Sequence, residues 1–244
     1  MKKVFLISCF LLSCFVFLPA QATFEIDTIQ TSSGPLKMAF IGHGTLLFNL
    51  NDINIHIDPV GSYADYSKMP SADIILVTHH HGDHLDTKAI KHIKKETTKI
   101  YCSQSCSEKL PEGKALRNGD IATALGIKIE AVPAYNLLHK RDSGEPFHPK
   151  GVGNGYVLTI GKTRVYVAGD TENIPEMAQL KEIDFAFLPM NLPYTMTPEM
   201  VANAVSLFNP KVLYPYHFGN TDLTILEKLM KDNKECELRL RKLQ

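Results

Sequence analysis

The chain has 244 residues, of which 44% are hydrophobic and 21% are charged, and this composition favours a packed globular core in one domain or a fused pair of half-domains. Its 26 basic and 26 acidic residues balance, so there is no basic excess to indicate nucleic-acid binding and no long acidic run to indicate a disordered tail. We therefore expect no nucleic-acid partner.

Residues 1–22 have the pattern of a secretory signal peptide. Two lysines precede an apolar run from Val4 to Leu18, and the segment Pro19–Ala22 supplies small residues at the two positions that a signal peptidase reads. The apolar run is shorter than the roughly 20 residues that a membrane span needs, and it continues past Cys14, which argues against lipidation there. We expect cleavage after Ala22 and a periplasmic or secreted protein with no stable membrane anchor after cleavage.

Residues 23–244 are expected to form the folded domain. They carry a net charge of −2, because removal of the first segment deletes two lysines and no acidic residue. They retain Cys102, Cys106 and Cys236, none of which has a metal-binding spacing such as CxxC. We expect the three to be packing residues, and the sequence leaves open whether Cys102 and Cys106 pair.

The first half of this domain is predicted to be mostly strand, because short apolar runs alternate with turn residues. A helix is predicted at Thr87–Lys95, with Asp86 as its N-cap, and a shorter one at Ser105–Leu110. The predicted strands are Leu36–Ile41, Thr45–Leu50, Ile53–Ile57, Asp73–Val77 and Lys99–Cys102.

The second half repeats this order of strands followed by helices, which predicts two β-rich halves with outer helices. The polar segment Pro133–Asn154 is long for a loop without structure of its own, and that length favours a functional loop. The predicted strands are Ile127–Val132, Tyr156–Ile160, Thr163–Ala168, Asp184–Leu188 and, as the last, Lys211–Tyr214; the predicted helices are Pro198–Phe208, Asp222–Lys231 and Glu235–Lys242.

A cluster of metal-ligand residues directly follows the buried strand at Asp73–Val77. In an extended segment, residues two apart point to the same side, so His79 and His81 can meet one ion while His80 points away. The glycine that follows lets the backbone turn, so Asp83 and His84 can face a second ion. Imidazole and carboxylate ligands together suit zinc, iron or manganese rather than calcium.

This cluster resembles the metal-binding motif of the metallo-β-lactamase superfamily, and further motifs extend the resemblance along the chain. The further motifs are Ile41-Gly42-His43-Gly44-Thr45, Ile57-Asp58-Pro59, Gly169-Asp170-Thr171 and Tyr214-Pro215-Tyr216-His217. The last two resemble the superfamily's bridging-aspartate turn and its final histidine. The first two are similar to the subgroup that contains L-ascorbate-6-phosphate lactonase-like proteins and the phospholipase D that cleaves N-acyl-phosphatidylethanolamine. The resemblance implies an α/β fold, the four-layered αββα sandwich, for residues 23–244, and a metal-dependent hydrolase activity.

The resemblance also implies a dinuclear centre with two divalent transition-metal ions, zinc first, with manganese or iron as alternatives. One metal is bound by His79, His81 and a histidine of the long loop, and a bridging hydroxide lies opposite the carboxylate that joins the two ions. We prefer His148 to His139 as the loop ligand, because Phe147–Gly151 resembles the subgroup's pattern before the next strand. The other metal is bound by Asp83, His84 and His217, and Asp170 is the carboxylate that bridges the two ions. Among these ligands, Asp83 is also assigned a catalytic role.

Three further residues are candidates for supporting or lining the site. His43 lies between two glycines and is either a site residue or a turn residue. Asp58 either supports a metal-bound histidine or caps a turn. Tyr194 either lines the pocket, where it could donate to a developing oxyanion, or simply packs.

We expect the enzyme to hydrolyse a small ester, lactone or phosphodiester, because metals stabilise oxygen leaving groups, whereas expelling an amine from a peptide needs a proton donor as well. The alternatives are an iron-dependent oxidoreductase on the same fold and a non-catalytic metal-binding protein. A β-lactamase is disfavoured, because the di-zinc class of those enzymes resembles a pattern with cysteine at the position of Asp170.

Overall fold

The computed structural model describes residues 24–243, so the predicted signal peptide lies outside the described residues. Two seven-stranded sheets form the centre of the molecule. The first contains β1 (Glu25–Thr31), β2 (Gly34–Gly42), β3 (Thr45–Leu50), β4 (Ile53–Ile57), β5 (Ala72–Val77), β6 (Lys94–Ser103) and β7 (Lys114–Leu116). The second contains β8 (Ile121–Ala124), β9 (Ile127–Ala134), β10 (Gly153–Ile160), β11 (Thr163–Val167), β12 (Phe185–Pro189), β13 (Val212–Tyr216) and β14 (Glu237–Leu238).

Both sheets follow the same topological plan. The strands of each sheet are neighbours in chain order. In the first sheet, β1 to β4 pair antiparallel and β4 to β7 pair parallel. In the second, β8 to β11 pair antiparallel and β11 to β14 pair parallel. The predicted pair of β-rich halves is therefore present, although the halves share no sequence repeat.

Alternating side chains of each central strand explain why the sheets stack. In β5, Ile74 and Leu76 enter the core cluster shared by the two sheets, whereas Ile75 and Val77 enter the cluster that also contains Ile90 of the helix. Successive side chains of a strand point to opposite faces, so a strand that is apolar throughout must be covered on both sides.

The helices supply the two outer layers. They are α1 (Thr87–Ile93), α2 (Pro198–Phe208) and α3 (Leu223–Met230), with short 3₁₀ helices at Gln104–Cys106 and Pro175–Gln179. Buried residues of α1 pack on the first sheet, and those of α2 and α3 pack on the second. The four-layered αββα sandwich is thus confirmed. Among residues 24–243, no helix is long and apolar enough to cross a membrane.

Several predicted element boundaries were wrong. The first helix ends at Ile93 rather than Lys95, because Lys94 begins β6, and the helix predicted at Ser105–Leu110 is a 3₁₀ turn of three residues. The sequence interpretation also missed β1, β7 and β8. The helix predicted at Glu235–Lys242 is absent; instead, β14 pairs in parallel with β13, which is therefore not the last strand.

Tertiary contacts explain this last difference. The carboxylate of Asp27, on β1, accepts hydrogen bonds from Arg241 Nε at 2.9 Å and Nη2 at 2.7 Å, and Arg239 Nη1 lies 3.6 Å from the same group. These ion pairs join the C-terminal segment, which includes the edge strand β14 of the second sheet, to the edge strand β1 of the first sheet. The charged residues of the C-terminal segment have good helix propensity, but tertiary interactions override propensity over such a short segment.

We expect Asp27→Asn to lower the free energy of unfolding at pH 7 by about 1.5–3 kcal/mol, the range for hydrogen bonds to charged groups. Burial opposes ionisation of Asp27, but its hydrogen bonds to Arg241 and Tyr214 outweigh burial and lower its pKa. A lowered pKa in the folded state stabilises the protein above the unfolded pKa, and this contribution is lost as the pH falls through the folded pKa. Urea unfolding of the metal-free unaltered protein and of Asp27→Asn, between pH 7 and pH 3, measures this difference in the free energy of unfolding. A difference between the two proteins that did not shrink towards pH 3 would contradict the assignment.

Candidate metal centre

The predicted ligands lie on loops that follow neighbouring strands. His79, His81, Asp83 and His84 follow β5, Asp170 follows β11, and His217 follows β13 directly, while His148 lies on the loop between β9 and β10. The stacking of the two sheets brings these loops to one edge of the sandwich. The structure therefore brings together all seven residues that the sequence singled out as ligands.

Three imidazoles form the first group of facing atoms. His81 Nδ1 lies 3.1 Å from His79 Nε2 and 3.2 Å from His148 Nε2. Ligand atoms around a tetrahedral zinc ion, each about 2.0–2.1 Å from the metal, are about 3.3 Å apart. The two distances from His81 Nδ1 are therefore close to those between ligands of a tetrahedral site, and the ligand atoms of the group all lie within 4.8 Å of one another.

His139, the rival loop histidine, is not in this group. Its Nδ1 lies 2.8 Å from Oε1 of the buried Glu172. The sequence interpretation preferred His148 to His139 as the loop ligand, and the structure places His148, and not His139, beside the motif histidines.

A second group of ligand atoms comes from Asp83, His84, His217 and His43, whose ligand atoms all lie within 4.8 Å of one another. Asp170 lies between the two groups. Its Oδ2 is 3.2 Å from His148 Nε2 and 3.3 Å from His217 Nε2. Its Oδ1 is 3.3 Å from His84 Nε2. One carboxylate thus faces both groups.

Buried polar atoms without partners show that these residues fit metal ions. Within the described part of the chain, His84 Nε2, His217 Nε2 and Asp170 Oδ1 are buried and have no hydrogen-bond partner. An unsatisfied buried polar group costs about 1–3 kcal/mol. Here three such atoms lie near one another: His84 Nε2 is 3.3 Å from Asp170 Oδ1, and His84 and His217 belong to the same ligand group. Imidazole nitrogen and carboxylate oxygen are the donors that zinc and similar divalent ions take.

The histidines of the two ligand groups differ in protonation state. Burial lowers the pKa of His79 well below its usual value and that of His81 to about 4, so these imidazoles are neutral, the form that binds metal. For His217, burial disfavours the imidazolium, but Asp170 and Asp83 outweigh burial and raise its pKa to about 10. Metal binding on that side must therefore release a proton.

Asp58 contacts one of the ligands directly. Its Oδ2 lies 2.7 Å from His84 Nδ1, and its two oxygens accept hydrogen bonds from the backbone N and Oγ1 of Thr78, both at 2.7 Å. Because Nδ1 of His84 faces this carboxylate, Nε2 is left free for a metal. Asp58 is completely buried, and burial raises its pKa.

We expect Asp58→Ala to weaken metal affinity about 10–100-fold, the usual effect of losing a partner that orients a metal ligand. The change leaves His84 Nδ1 and the Thr78 groups without their acceptor, so the thermal midpoint should fall as well. Competition with a fluorescent zinc chelator measures affinity, and Asp52→Ala, at an exposed turn, is the matched control. Unchanged zinc affinity in Asp58→Ala would show that Asp58 only holds the backbone.

Two residues that the sequence interpretation missed hold the long loop. Asn136 Oδ1 accepts hydrogen bonds from the backbone N and Nδ1 of His148, both at 2.8 Å, and its Nδ2 donates to Glu172 Oε1 at 3.0 Å. The fully buried Glu172 also accepts backbone hydrogen bonds from Leu137, Leu138 and His139. The order of the loop thus depends on a carboxylate far away in the sequence. In the sequence, only the position of Glu172 two residues after Asp170 could have indicated this role.

His43 and Tyr63 lie on the side of the site that holds the second group of ligand atoms. His43 Nε2 lies 3.2 Å from Asp83 Oδ2, and its ring centroid is 3.6 Å from that of His217. The ring of Tyr63, which the sequence interpretation also missed, stacks on His43 at 5.5 Å. Gly44 is required here, because a Cβ atom at that position would lie 2.7 Å from His84 Cε1.

Tyr194, the remaining site candidate, and the three cysteines lie outside the ligand cluster. Tyr194 is 45% exposed, and its ring packs on that of Phe147 at 5.1 Å, so it lies at the mouth of the site. Cys102, Cys106 and Cys236 are buried free thiols, as expected for packing residues.

Comparisons with known proteins agree with this geometry. The family model described as beta-lactamase superfamily domain matches residues 37–217. The chain is 32% identical over 224 residues to a UPF0173 metal-dependent hydrolase of Thermococcus onnurineus, a match that covers 82% of this chain and 94% of the relative.

Solved structures show the same fold. The crystal structure of a proposed metal-dependent hydrolase from Parabacteroides distasonis has a TM-score of 0.86 and 50% identity, and the match covers 91% of this chain and 100% of the other. The metallo hydrolase Igni18 from Ignicoccus hospitalis has a TM-score of 0.71 and 24% identity, covers 85% and 95% of the two chains, and shows similarity of fold alone.

Proposed function

This chain belongs to the beta-lactamase superfamily and is a metal-dependent hydrolase, and from that premise we propose that it is an exported enzyme with a dinuclear centre that hydrolyses a small ester, lactone or phosphodiester. The position of Asp170 carries this proposal, because its two oxygens face ligand atoms of both groups.

In this proposal the two groups hold one metal each. His79 Nε2, His81 Nδ1 and His148 Nε2 hold the first, and Asp83, His84 and His217 hold the second, with Asp170 between them. Zinc is the first expectation for both, with manganese or iron as alternatives, because the donors are imidazole and carboxylate.

When bound, two divalent ions make a water-derived nucleophile available near neutral pH and neutralise negative charge on the reacting group. The protein's own residues orient the reactants. Asp83 is 44% exposed on its side chain and so reaches the substrate side. Burial opposes its ionisation, but the nearby imidazoles of His217, at 3.8 Å, and His43, at 3.2 Å, outweigh burial and hold its pKa far below the usual value. Asp83 therefore accepts a hydrogen bond from water and orients it, rather than storing a proton.

The chemistry of the leaving group supports esters, lactones and phosphodiesters over peptides. An alkoxide or phosphate oxygen can leave without a dedicated acid when its charge is neutralised, whereas an amine must be protonated as it leaves. Near the site, His43 and Tyr63 are titratable neighbours to which no ligand role is assigned. Burial lowers the pKa of His43, which favours its neutral form, and burial raises the pKa of Tyr63. Tyr63 is a poor acid at neutral pH, which disfavours amide cleavage.

Metal analysis and a substrate panel on the protein lacking residues 1–22 test the proposal together. We expect two ions per chain after reconstitution, and turnover of at least one phosphodiester, lactone or acyl ester that a chelator abolishes. Peptide cleavage with every ester and diester untouched would reject the substrate class. One ion per chain with oxygen-dependent turnover would favour the iron-dependent oxidoreductase alternative.

Export is expected to yield a mature protein that begins at Thr23. The charged start, the apolar run and the Ala-Gln-Ala ending of residues 1–22 support this proposal. Intact mass measurement on protein from the native cell envelope tests it, with Ala22→Arg as the variant expected to block cleavage. An intact Met1, or a lipid on Cys14, would overturn it.

A further inference from the structure

Four exposed apolar side chains lie on two loops beside the metal centre. Leu137 and Leu138, after β9, are 45% and 73% exposed, and Leu192 and Tyr194, after β12, are 48% and 45% exposed. We call these four side chains the apolar rim. Single exposed apolar residues are ordinary on protein surfaces, but a group of them next to a site indicates a binding surface.

Two contacts join the loops that carry the rim. Nδ2 of Asn136, the residue before Leu137, donates to the backbone oxygen of Tyr194 at 2.9 Å. The rings of Phe147 and Tyr194 pack edge to face at 5.1 Å. The rim is therefore carried by two joined loops, although its residues on the two loops are more than 50 positions apart in the chain.

The rim is continuous with the proposed first metal site. Asn136 holds both the backbone N and Nδ1 of His148 at 2.8 Å, and Phe147 directly precedes that histidine. A substrate whose reacting atom lies among the ligands would therefore extend across the rim on this side of the centre.

The backbone that carries these side chains is held in place. The buried Glu172 accepts hydrogen bonds from the backbone N of Leu137 at 2.8 Å and of Leu138 at 2.7 Å. On the other loop, Thr195 Oγ1 accepts a hydrogen bond from the backbone N of Asn191 at 2.7 Å. The leucines are thus exposed on fixed loops, an arrangement in which little ordering entropy is lost when a ligand binds.

We propose that the apolar rim binds an apolar arm of the substrate. The preferred substrate is then an amphipathic small molecule. Its scissile ester, lactone or phosphodiester lies at the metals, and an alkyl or aromatic group of several carbons lies against Leu138, Leu192 and Tyr194. The identity of the scissile group rests on the proposed function, whereas the apolar arm rests on the rim alone.

Linear alkyl hydroxamates, from acetohydroxamate to octanohydroxamate, test this by calorimetry on the zinc-loaded protein, with no turnover required. The hydroxamate head binds zinc, and the chain probes the rim. Affinity is expected to rise about two- to fourfold per methylene over the first several carbons, as for partly to fully buried methylenes, and then to level off. The double variant Leu138→Ser/Leu192→Ser should lose most of this rise and keep its affinity for acetohydroxamate.

A matched control comes from exposed apolar residues away from the site. Ile121 and Leu125 are 57% and 54% exposed, on β8 and the turn after it, and Ile121→Ser/Leu125→Ser should retain the full rise in affinity. An affinity that is independent of chain length, or that rises equally in the rim variant, overturns the proposal. If the rim variant Leu138→Ser/Leu192→Ser changes only the molecular mass measured by sedimentation, the proposal is also overturned and the rim is assigned to self-association.

The same series separates this proposal from the proposed function. Binding of acetohydroxamate without any gain from longer chains contradicts the rim and leaves the metal centre intact. A gain with chain length in protein that fails to bind acetohydroxamate supports the rim and contradicts the dinuclear centre.

Discussion

Replacing Asp170 with alanine is expected to empty both metal sites and to lower kcat/KM by at least about 10³-fold, because the metals supply both the nucleophile and the charge stabilisation. Its Oδ2 faces His148 of the first ligand group and His217 of the second, and its Oδ1 faces His84 of the second, at 3.2–3.3 Å. Without that negative charge, two cations about 3.5–4 Å apart would repel each other.

Metal content after zinc reconstitution, measured by elemental analysis, is the decisive observation for Asp170→Ala. Asp170→Asn keeps the size of the side chain and removes its charge, so it should retain the fold and still lose metal. Asp120→Asn, at an exposed turn, is the matched control and should behave as the unaltered protein. Two ions per chain and near-normal turnover in Asp170→Ala would show that this residue does not bridge.

Replacing His148 with alanine is expected to leave one ion per chain and to lower kcat/KM by about 10²–10³-fold, the loss expected when one of two cooperating metals is missing. The His148 imidazole is buried beside His81 and is fixed by Asn136. His139→Ala is the matched control on the same loop, because that imidazole contacts Glu172 and not the ligand cluster.

Elemental analysis and activity of the two histidine variants are measured side by side. His139→Ala should keep both ions and most of its turnover, with a modest loss of thermal stability from the change beside Glu172. The opposite pattern, with full metal in His148→Ala and loss in His139→Ala, would show that the loop rearranges when metal binds and that His139 is the ligand.

The sequence predicted the cluster of metal-ligand residues best where one short segment supplies several of them. The run from His79 to His84 follows a buried strand, and the two-residue period of a strand determines which of its histidines face the same way. The superfamily, the sandwich fold and the metal-dependent hydrolase activity all follow from that segment and from the order of the later motifs. The helix Pro198–Phe208 was predicted to the residue from its amphipathic pattern and the proline in its first turn, and in the structure Thr197 caps its N-terminus.

The tertiary structure decided what depends on contacts between distant segments. The sequence already favoured His148 over His139, and the tertiary structure shows the reason: Asn136 and Glu172 fix the long loop, and no local pattern encodes those two partners. The tertiary structure also made Glu237–Leu238 a strand, because pairing with β13 and the ion pairs to Asp27 outweigh helix propensity. Local periodicity specifies which side chains of one segment share a face, whereas the meeting of segments depends on how the sheets stack and on which buried polar groups find partners.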